Sequence, residues 1–212
     1  MPILKQMKKI IFTLSMVAFV TAGWCQARIP INEPNTGTNT KPNNPSTTNQ
    51  GNTNSGTGTS SELKKYSDPQ GRFTIGYPGD WKFEDKSEGA VIKITSPSEG
   101  SEDKFTQNVN LQIETLTAGT TIEQYVKANI DGIKEVVKGY REVSSMYFNR
   151  NGGKAYQIVY KGKYGEMTYD IQIKQLFCVV NGKGYVLTYV SKEDERDAFE
   201  TTANKIFNSF KY

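Results

Sequence analysis

Residues 66–83 read YSDPQGRFTIGYPGDWKF, and at this stretch a low-complexity chain gives way to a folded one. Phe73, Ile75 and Tyr77 alternate with residues that are small or polar, which is the period-2 pattern of a strand with one buried face. The segments DPQG and PGD flank this strand, and their proline and glycine favour turns. The stretch therefore predicts a turn, a strand, a second turn and a short strand that begin a sheet.

The segment before this stretch does not resemble a folded domain. Residues 32–61 contain no Val, Ile, Leu, Met, Phe, Trp or Tyr, and Asn, Thr, Gly, Pro and Ser dominate. Such a sequence cannot bury enough apolar surface to offset the entropy lost on ordering, so residues 28–61 are predicted to be a disordered linker. The linker either holds the domain away from a surface or is an unselected tail, and composition favours neither.

Residues 1–27 have the pattern of a secretory signal peptide. Three lysines precede the mostly apolar run IIFTLSMVAFV at residues 10–20, which is shorter than a membrane span requires. Cleavage at residues 25–27 would place the mature protein in the periplasm or outside the cell. A retained membrane anchor and a lipid-modified Cys25 are the alternatives, and Trp24 stands where a lipoprotein signal normally has a small residue.

Charge and cysteine content argue against several classes of protein. The chain has 26 basic and 22 acidic residues, and three of the lysines lie in the predicted signal, so the mature chain is nearly neutral. No basic face is visible, which argues against binding to nucleic acid. Cys178 would be the only thiol of the mature chain, and its apolar surroundings LFCVV predict a buried structural residue.

Two stretches of the domain, residues 62–212, carry the 3.6-residue periodicity of helices with one apolar face. The first covers residues 122–137 and ends before Gly139, its predicted stop. A capping box is predicted at its start, formed by Thr120 with Glu123. The second helix follows a serine N-cap and runs nearly to the last residue; the cap is Ser191.

Strand periodicity fills the remainder of the domain. Hairpin turns are predicted at Asn151-Gly152, at Asn181-Gly182 and at residues 161–165. Residues 142–148 predict only a weak strand, and a strand starting at Met167 loses its alternation at Gln175, which predicts a bulge or bend. Because tight turns make neighbouring strands antiparallel, the predicted fold is α+β, an antiparallel β-sheet of about seven or eight strands flanked by two main helices.

The opening stretch and the order of elements together resemble the PsbP-like domain family. The Y-x-D of residues 66–68, the GRF strand start and the YP-x-x-W turn at residues 77–81 are similar to the start of such domains. The GYVL strand at residues 184–187 and the FNSF helix end at residues 207–210 resemble their end. DcrB-like bacterial proteins share this pattern. The resemblance covers residues 62–212 and implies an antiparallel sheet flanked by helices.

The resemblance does not carry a photosynthetic role to this chain. Plant members of the family are extrinsic subunits of photosystem II that help to retain calcium and chloride. This chain has no histidine, so no histidine-based contact of those proteins has a counterpart here. Its Asn/Thr-rich linker is also foreign to the plant form. We therefore transfer the fold alone.

The absence of histidine also removes the commonest catalytic arrangements. Ser-His-Asp triads, Cys-His pairs and histidine-ligated metals cannot be built, and no Gly-rich phosphate-binding motif is present. We therefore expect no enzyme, catalytic residue, cofactor or metal site. A histidine-free hydrolase that uses two carboxylates stays open as an alternative, because such acids meet only in the folded protein.

Two loops are candidates for binding. Residues 98–103, SEGSED, could offer oxygen ligands to Ca²⁺ but lack the EF-hand spacing, and the alternative is a solvated loop. Residues 160–164, YKGKY, predict an exposed hairpin tip that presents two tyrosines and two lysines to a partner, with a simple turn as the alternative.

The leading hypothesis is an exported, non-catalytic accessory, binding or assembly factor whose partner is an unknown envelope protein or membrane-associated complex. A passive structural surface protein is the third hypothesis, after the accessory factor and the histidine-free hydrolase.

Overall fold

The computed structural model describes residues 62–87, 89–101, 105–193 and 199–212. Within these ranges the chain forms two helices, α1 (Ile122–Val136) and α2 (Glu200–Ser209). The strands are β1 (Lys64–Ser67), β2 (Thr74–Tyr77), β3 (Lys82–Asp85), β4 (Ile92–Thr95), β5 (Asn108–Thr115), β6 (Val137–Arg150), β7 (Gly153–Tyr164), β8 (Ile171–Val180) and β9 (Lys183–Lys192). The predicted signal at residues 1–27 and linker at residues 28–61 lie outside the described residues, in which no helix is long and apolar enough to cross a membrane.

Seven of these strands form one antiparallel sheet in the order β3-β4-β5-β9-β8-β7-β6. The strands β1 and β2 form a separate two-stranded sheet, so the opening stretch does not supply an edge of the main sheet. The main sheet with two helices confirms the predicted α+β architecture. Its two outermost strands are β3 and β6, which belong to distant parts of the chain.

The turn between β1 and β2 is fixed by an ion pair within the family motif. The Asp68 carboxylate accepts hydrogen bonds from the Arg72 backbone N–H at 3.1 Å, from its Nε at 2.8 Å and from its Nη2 at 2.7 Å. These bonds from Arg72 hold the pKa of Asp68 below its usual value. Above the turn, the ring of Tyr66 lies 4.7 Å from that of Phe83, and Phe73 is buried. The predicted turns and core rings of the stretch are confirmed.

The main sheet has a hydrophobic core on each of its two faces. One core contains α2 and the β1–β2 sheet, packed over the residues of β8 and β9 that include Leu176, Cys178 and Leu187. The other contains α1, packed over residues that include Phe177. Successive residues of β8 therefore face different cores, and the strand pairs with both neighbours without a register shift. The predicted bulge at Gln175 is wrong, because the broken alternation reflects burial of both faces.

Helix α1 is capped one residue later than the sequence predicted. Thr121 and Gln124 form the capping box, rather than Thr120 and Glu123. The helix ends at Val136, and the chain passes directly into β6. Gly139 does not end the helix but lies within β6, where it adopts a φ of +66° beside the first irregularity in the β6–β7 pairing.

The predicted N-cap of the second helix is also wrong. Ser191 is the ninth residue of β9, paired with Gln172 on β8 and almost fully buried. Helix α2 instead begins after Phe199, whose side chain makes no capping hydrogen bond. At the other end of α2, the Nη2 of Arg150 on β6 donates hydrogen bonds to the carbonyl oxygens of Phe207 and Phe210.

The last residues of the chain pair with the opening stretch. The backbone N–H of Lys211 donates to the carbonyl oxygen of Thr74 at 2.9 Å, and the reverse bond measures 2.8 Å. Phe210 is buried beside Phe73, with ring centroids 6.0 Å apart. The β1–β2 sheet is thus held to the domain by residues from the opposite end of the folded chain.

Candidate interaction surface

The predicted hairpin tip at residues 160–164 is not a tip. These residues belong to β7, which runs on to Tyr164 and pairs with β6 on one side and β8 on the other. Tyr160 is fully buried, and its hydroxyl donates to the Oε1 of Gln175 at 3.3 Å. Both rings belong to the core on the α1 face, Tyr160 fully and Tyr164 in part. The prediction of an exposed hairpin tip is therefore wrong, and binding at this segment stays a prediction.

The two lysines of that segment belong to an ion cluster at one end of the sheet. Lys161 Nζ lies 3.1 Å from Glu193, and Lys163 Nζ lies 3.8 Å from Asp170. The Nη2 of Arg141 bridges the acids, 2.9 Å from Asp170 and 3.1 Å from Glu193. Hydrogen bonds from Arg141 to Asp170 and the charge of Glu193 raise the pKa of the guanidinium. The cluster joins β6 and β7 to Asp170, which directly precedes β8, and to Glu193, which directly follows β9.

This cluster brings together two carboxylates, the geometry that the hydrolase alternative requires. A glycosidase-type pair needs one acid that keeps its proton in apolar surroundings. Asp170 and Glu193 instead share Arg141 and each has a lysine partner, so three cations face two acids. The arrangement is that of a structural ion cluster at the surface.

The acidic loop at residues 98–103 is described only up to residue 101. Ser98 Oγ donates to the carbonyl oxygen of Gly100 at 2.7 Å, and the Glu99 carboxylate accepts from Gln107 Nε2 at 3.3 Å. In the described part of the chain, no three acidic or cysteine side chains come together to hold a metal ion. Calcium binding by this loop stays a prediction.

A row of buried polar side chains crosses the sheet beneath α1. The hydroxyls of Tyr160 and Tyr164 are 3.1 Å apart, and Gln175 Nε2 donates to Thr188 Oγ1 at 3.1 Å. Burial raises the pKa of Tyr164 to about 12. These groups satisfy one another across β7, β8 and β9, so we assign them a structural role. The sequence signal for them was Gln175, a polar residue at the position where the alternation of β8 breaks.

Cys178 is fully buried and confirms the predicted structural thiol. Burial raises the pKa of the thiol to about 11, well above the range in which a thiolate acts as a nucleophile.

The outer edge of β6 carries exposed apolar side chains. Val143, Met146 and Tyr147 are 54%, 57% and 40% exposed, and they are the large apolar side chains that the described residues leave exposed. All three lie on one strand, and that strand ends the sheet. Residues 143–149, VSSMYFN, contain no charged residue and no proline. We call residues 143–149 the open edge.

The opposite edge of the sheet shows how an edge strand is usually protected. β3 has only four residues, and three of them, Lys82, Glu84 and Asp85, are charged. Lys82 and Glu84 also pair with each other at 3.0 Å. Short, charged edge strands resist pairing with other chains, whereas long apolar ones invite it. β6 has fourteen residues and lacks this protection over half its length.

Tyr147 of the open edge packs against side chains of the neighbouring strand β7. The ring of Tyr147 lies 4.6 Å from that of Tyr156 on β7, and Lys154 Nζ lies 4.5 Å above the Tyr147 ring. Lys154 is fixed in turn by Glu123 of α1 at 2.6 Å. Partial burial and the charge of Glu123 raise the pKa of Tyr147. The open edge itself therefore presents uncharged side chains, with the Lys154–Glu123 ion pair beside Tyr147.

Sequence reasoning missed this surface because it treated residues 142–148 as a weak strand. The signal was present, since residues 143–149 carry no charge and include the strand formers Val143, Tyr147 and Phe148. The sequence did not reveal that β6 is an outermost strand of the sheet.

One family model matches this chain. The model of a family described as PsbP-like protein matches residues 36–212, which is most of the chain. No sequence among the curated proteins matches. The match starts inside the predicted linker.

Solved structures with the same fold come from distant organisms. Cyanobacterial PsbP (CyanoP) from Synechocystis is 15% identical with a TM-score of 0.50, and the match covers 74% of this chain and 96% of that one. LpqN from Mycobacterium tuberculosis, described as involved in cell envelope biogenesis, is 15% identical with a TM-score of 0.52 over 72% and 86%. The Ran-binding protein Mog1p from Saccharomyces cerevisiae is 9% identical with a TM-score of 0.51 over 72% and 96%.

Proposed function

Because the chain belongs to the family of PsbP-like proteins, we propose that it is a non-catalytic accessory module of the cell envelope that acts by binding other proteins. The observation that carries this proposal is the open edge. An exposed strand without charges is a template on which another extended segment can pair through backbone hydrogen bonds. The added strand would come either from an envelope protein or from a second copy of this chain.

The location in the envelope rests on two supports. Residues 1–27 have the composition of a secretory signal, and one protein with the same fold, LpqN, is described by its involvement in cell envelope biogenesis. Export would place the open edge in a compartment where a partner can pair with it after both chains have been translocated. The linker at residues 28–61 would give the domain reach if its N-terminal end is held at a membrane.

A binding role is favoured over the hydrolase because Asp170 and Glu193, two acids that the structure brings together among the described residues, are held by cations. It is favoured over a passive surface protein because a protein without a partner gains nothing from an unprotected edge, which exposes it to aggregation. The ion cluster and the open edge together support the binding role over the two alternatives.

Site-specific photo-cross-linking in cells tests the proposal. A photoreactive amino acid is placed at Met146, on the open edge, and in a matched strain at Lys65, an exposed residue of β1. We expect defined adducts at position 146, identified by mass spectrometry as one envelope protein or a second copy of this chain. Position 65 should give none of them. If position 146 gives no defined adduct in intact cells, the proposed binding role is wrong.

Export is tested separately by the mass of the mature protein. We expect the protein recovered from the envelope fraction to lack residues 1–27, and a full-length protein recovered from the cytosol would contradict the proposal.

A further inference from the structure

The open edge has a geometry that fits one occupant best, and this inference rests on the proposed binding role of β6. We propose that β6 pairs antiparallel with β6 of a second copy of this chain, so that the two seven-stranded sheets become one continuous sheet. The two-fold axis would pass beside Tyr147. The argument uses the register of β6, the residues that would face each other, and their charges.

The register is limited by irregularities at both ends of the open edge. From Ser144 to Arg150 every residue of β6 pairs with β7 in unbroken register. A register shift between Glu142 and Ser144 precedes this segment, and the turn at Asn151 follows it. Regular pairing with another strand is therefore available over seven residues. An antiparallel pair that uses all seven has Tyr147, the middle residue, opposite itself.

The residues that face each other in this register are compatible. Tyr147 lies opposite Tyr147 of the second copy, and Met146 lies opposite Phe148 on the other face of the sheet. Ser145 and Ser144 lie opposite Asn149 and Arg150. Aromatic and apolar cross-strand pairs stabilise a sheet, and like charges directly opposite each other destabilise it. No like charges lie directly opposite each other within these seven residues, because Arg150 is the one charged residue among them. Lys154, whose Nζ lies over the Tyr147 ring, is paired with Glu123.

The side-chain directions are also consistent with two-fold pairing. Met146 and Phe148 pair across β7 with Gln157 and Ala155, so they point to the same face, while Tyr147 shares the other face with Tyr156. Antiparallel pairing edge to edge keeps each face of the sheet on its own side, because the axis is perpendicular to the sheet. Met146 of one copy can therefore contact Phe148 of the other without rotation of either strand.

An alternative self-pairing centred on Met146 would set Glu142 against Arg150, which looks favourable as a charge pair. The register shift after Glu142 rules it out. Glu142 faces the α1 side, opposite Tyr160, whereas the Arg150 guanidinium faces α2 and is bound to its last carbonyl oxygens. The two charges would then lie on opposite faces of the joined sheet.

Cysteine cross-linking tests the register in the full chain carrying Cys25→Ser, with Cys178 buried and unreactive. Directly opposite residues have Cα atoms about 4.5–5.5 Å apart, within the range of a disulfide. We expect Tyr147→Cys to give an interchain disulfide under mild oxidation. Met146→Cys is the matched control, because two such residues would be offset by two positions and more than about 7 Å apart, beyond disulfide reach. Ser145→Cys and Asn149→Cys should cross-link only when the two proteins are mixed.

Sedimentation analysis over a range of concentrations provides the second readout. We expect the Cys25→Ser chain to form a dimer and Met146→Lys to shift it to monomer, while Glu84→Lys on the β3 edge leaves the dimer unchanged. Circular dichroism controls for folding of each variant. A monomer at every concentration, a dimer insensitive to Met146→Lys, or equal cross-linking of Tyr147→Cys and Met146→Cys would overturn the inference. If those results were accompanied by adducts with another envelope protein at position 146, the proposed function would stand without the dimer.

Discussion

Gly184 lies where the sheet leaves no room for a side chain, and its substitution gives the sharpest test of the packing beneath α1. A Cβ added at Gly184 would lie 2.5 Å from Cζ of Tyr125, 2.7 Å from its Oη and 2.8 Å from its Cε2. Normal carbon–carbon contacts are about 3.5–4.0 Å, so the ring must move by about 1 Å. Tyr125 is 3% exposed and packs against Phe177 at a centroid distance of 6.1 Å, which limits that movement.

The expected loss of stability combines two contributions. Overpacking a core costs about 1–3 kcal/mol. The displaced ring would also weaken the hydrogen bond that the Tyr125 hydroxyl donates to Glu114 at 2.6 Å, and a bond to a charged group contributes about 1.5–3 kcal/mol. Gly184→Ala should therefore lower the free energy of unfolding by about 2–4 kcal/mol, measured by urea denaturation.

A double-mutant cycle tests the assigned cause. Tyr125→Leu removes the atoms that clash, so adding Gly184→Ala to it should cost less than about 1 kcal/mol more. Tyr125→Phe keeps the clashing Cζ atom, so it should not remove the destabilisation caused by Gly184→Ala. The control is Gly153→Ala, also in a strand, where the nearest atom to a new Cβ is 3.9 Å away. If Gly184→Ala lowered the free energy of unfolding equally with tyrosine and with leucine at position 125, the assigned cause would be wrong.

Two further predictions concern buried ionisable groups. Asp68→Asn should lower the free energy of unfolding by about 2–3 kcal/mol at pH 7, because the side chain is 2% exposed and bound to Arg72. The pKa of Asp68 is lower in the folded than in the unfolded chain, so its contribution is complete above the usual value of 3.8 and is lost as the pH falls through the folded value. The difference between the two proteins in urea denaturation should thus shrink at pH 3, and a constant difference would contradict this. Cys178, with its pKa raised to about 11, should resist a thiol reagent at pH 8 in the Cys25→Ser chain and react only after unfolding in urea. Rapid labelling of the folded protein would show that the thiol is accessible.

Features set by short segments could be predicted from the sequence. The turns at Asn151 and Asn181, where both residues adopt a φ of +49°, are encoded by the Asn-Gly pairs themselves. The turn after Asp68 and the apolar face of α1 are similarly local. The α+β architecture followed from these elements, because tight turns leave antiparallel pairing as the only arrangement.

The errors arose where distant parts of the chain override a local signal. Ser191 precedes acidic residues as an N-cap does, but pairing with β8 extends β9 through it. Residues 161–165 look like a turn because of their glycines, whereas Gly162 is needed where Val137 of β6 approaches its backbone. Likewise, residues 143–149 form an exposed edge only because the sheet order places β6 last, and no single segment of the sequence determines the order of the strands.

The pairing of Lys211 with Thr74 bears on when this domain can fold. The β1–β2 sheet has only eight residues in its strands, and a two-stranded unit of that size is barely stable alone. Its partners are α2 and residues 210–212, which a ribosome produces more than 100 residues later. We therefore expect this layer to stay open in a growing chain until residues 200–212 have been made. Residues 210–212 hold the layer in place, and their removal should leave a domain whose first layer cannot close.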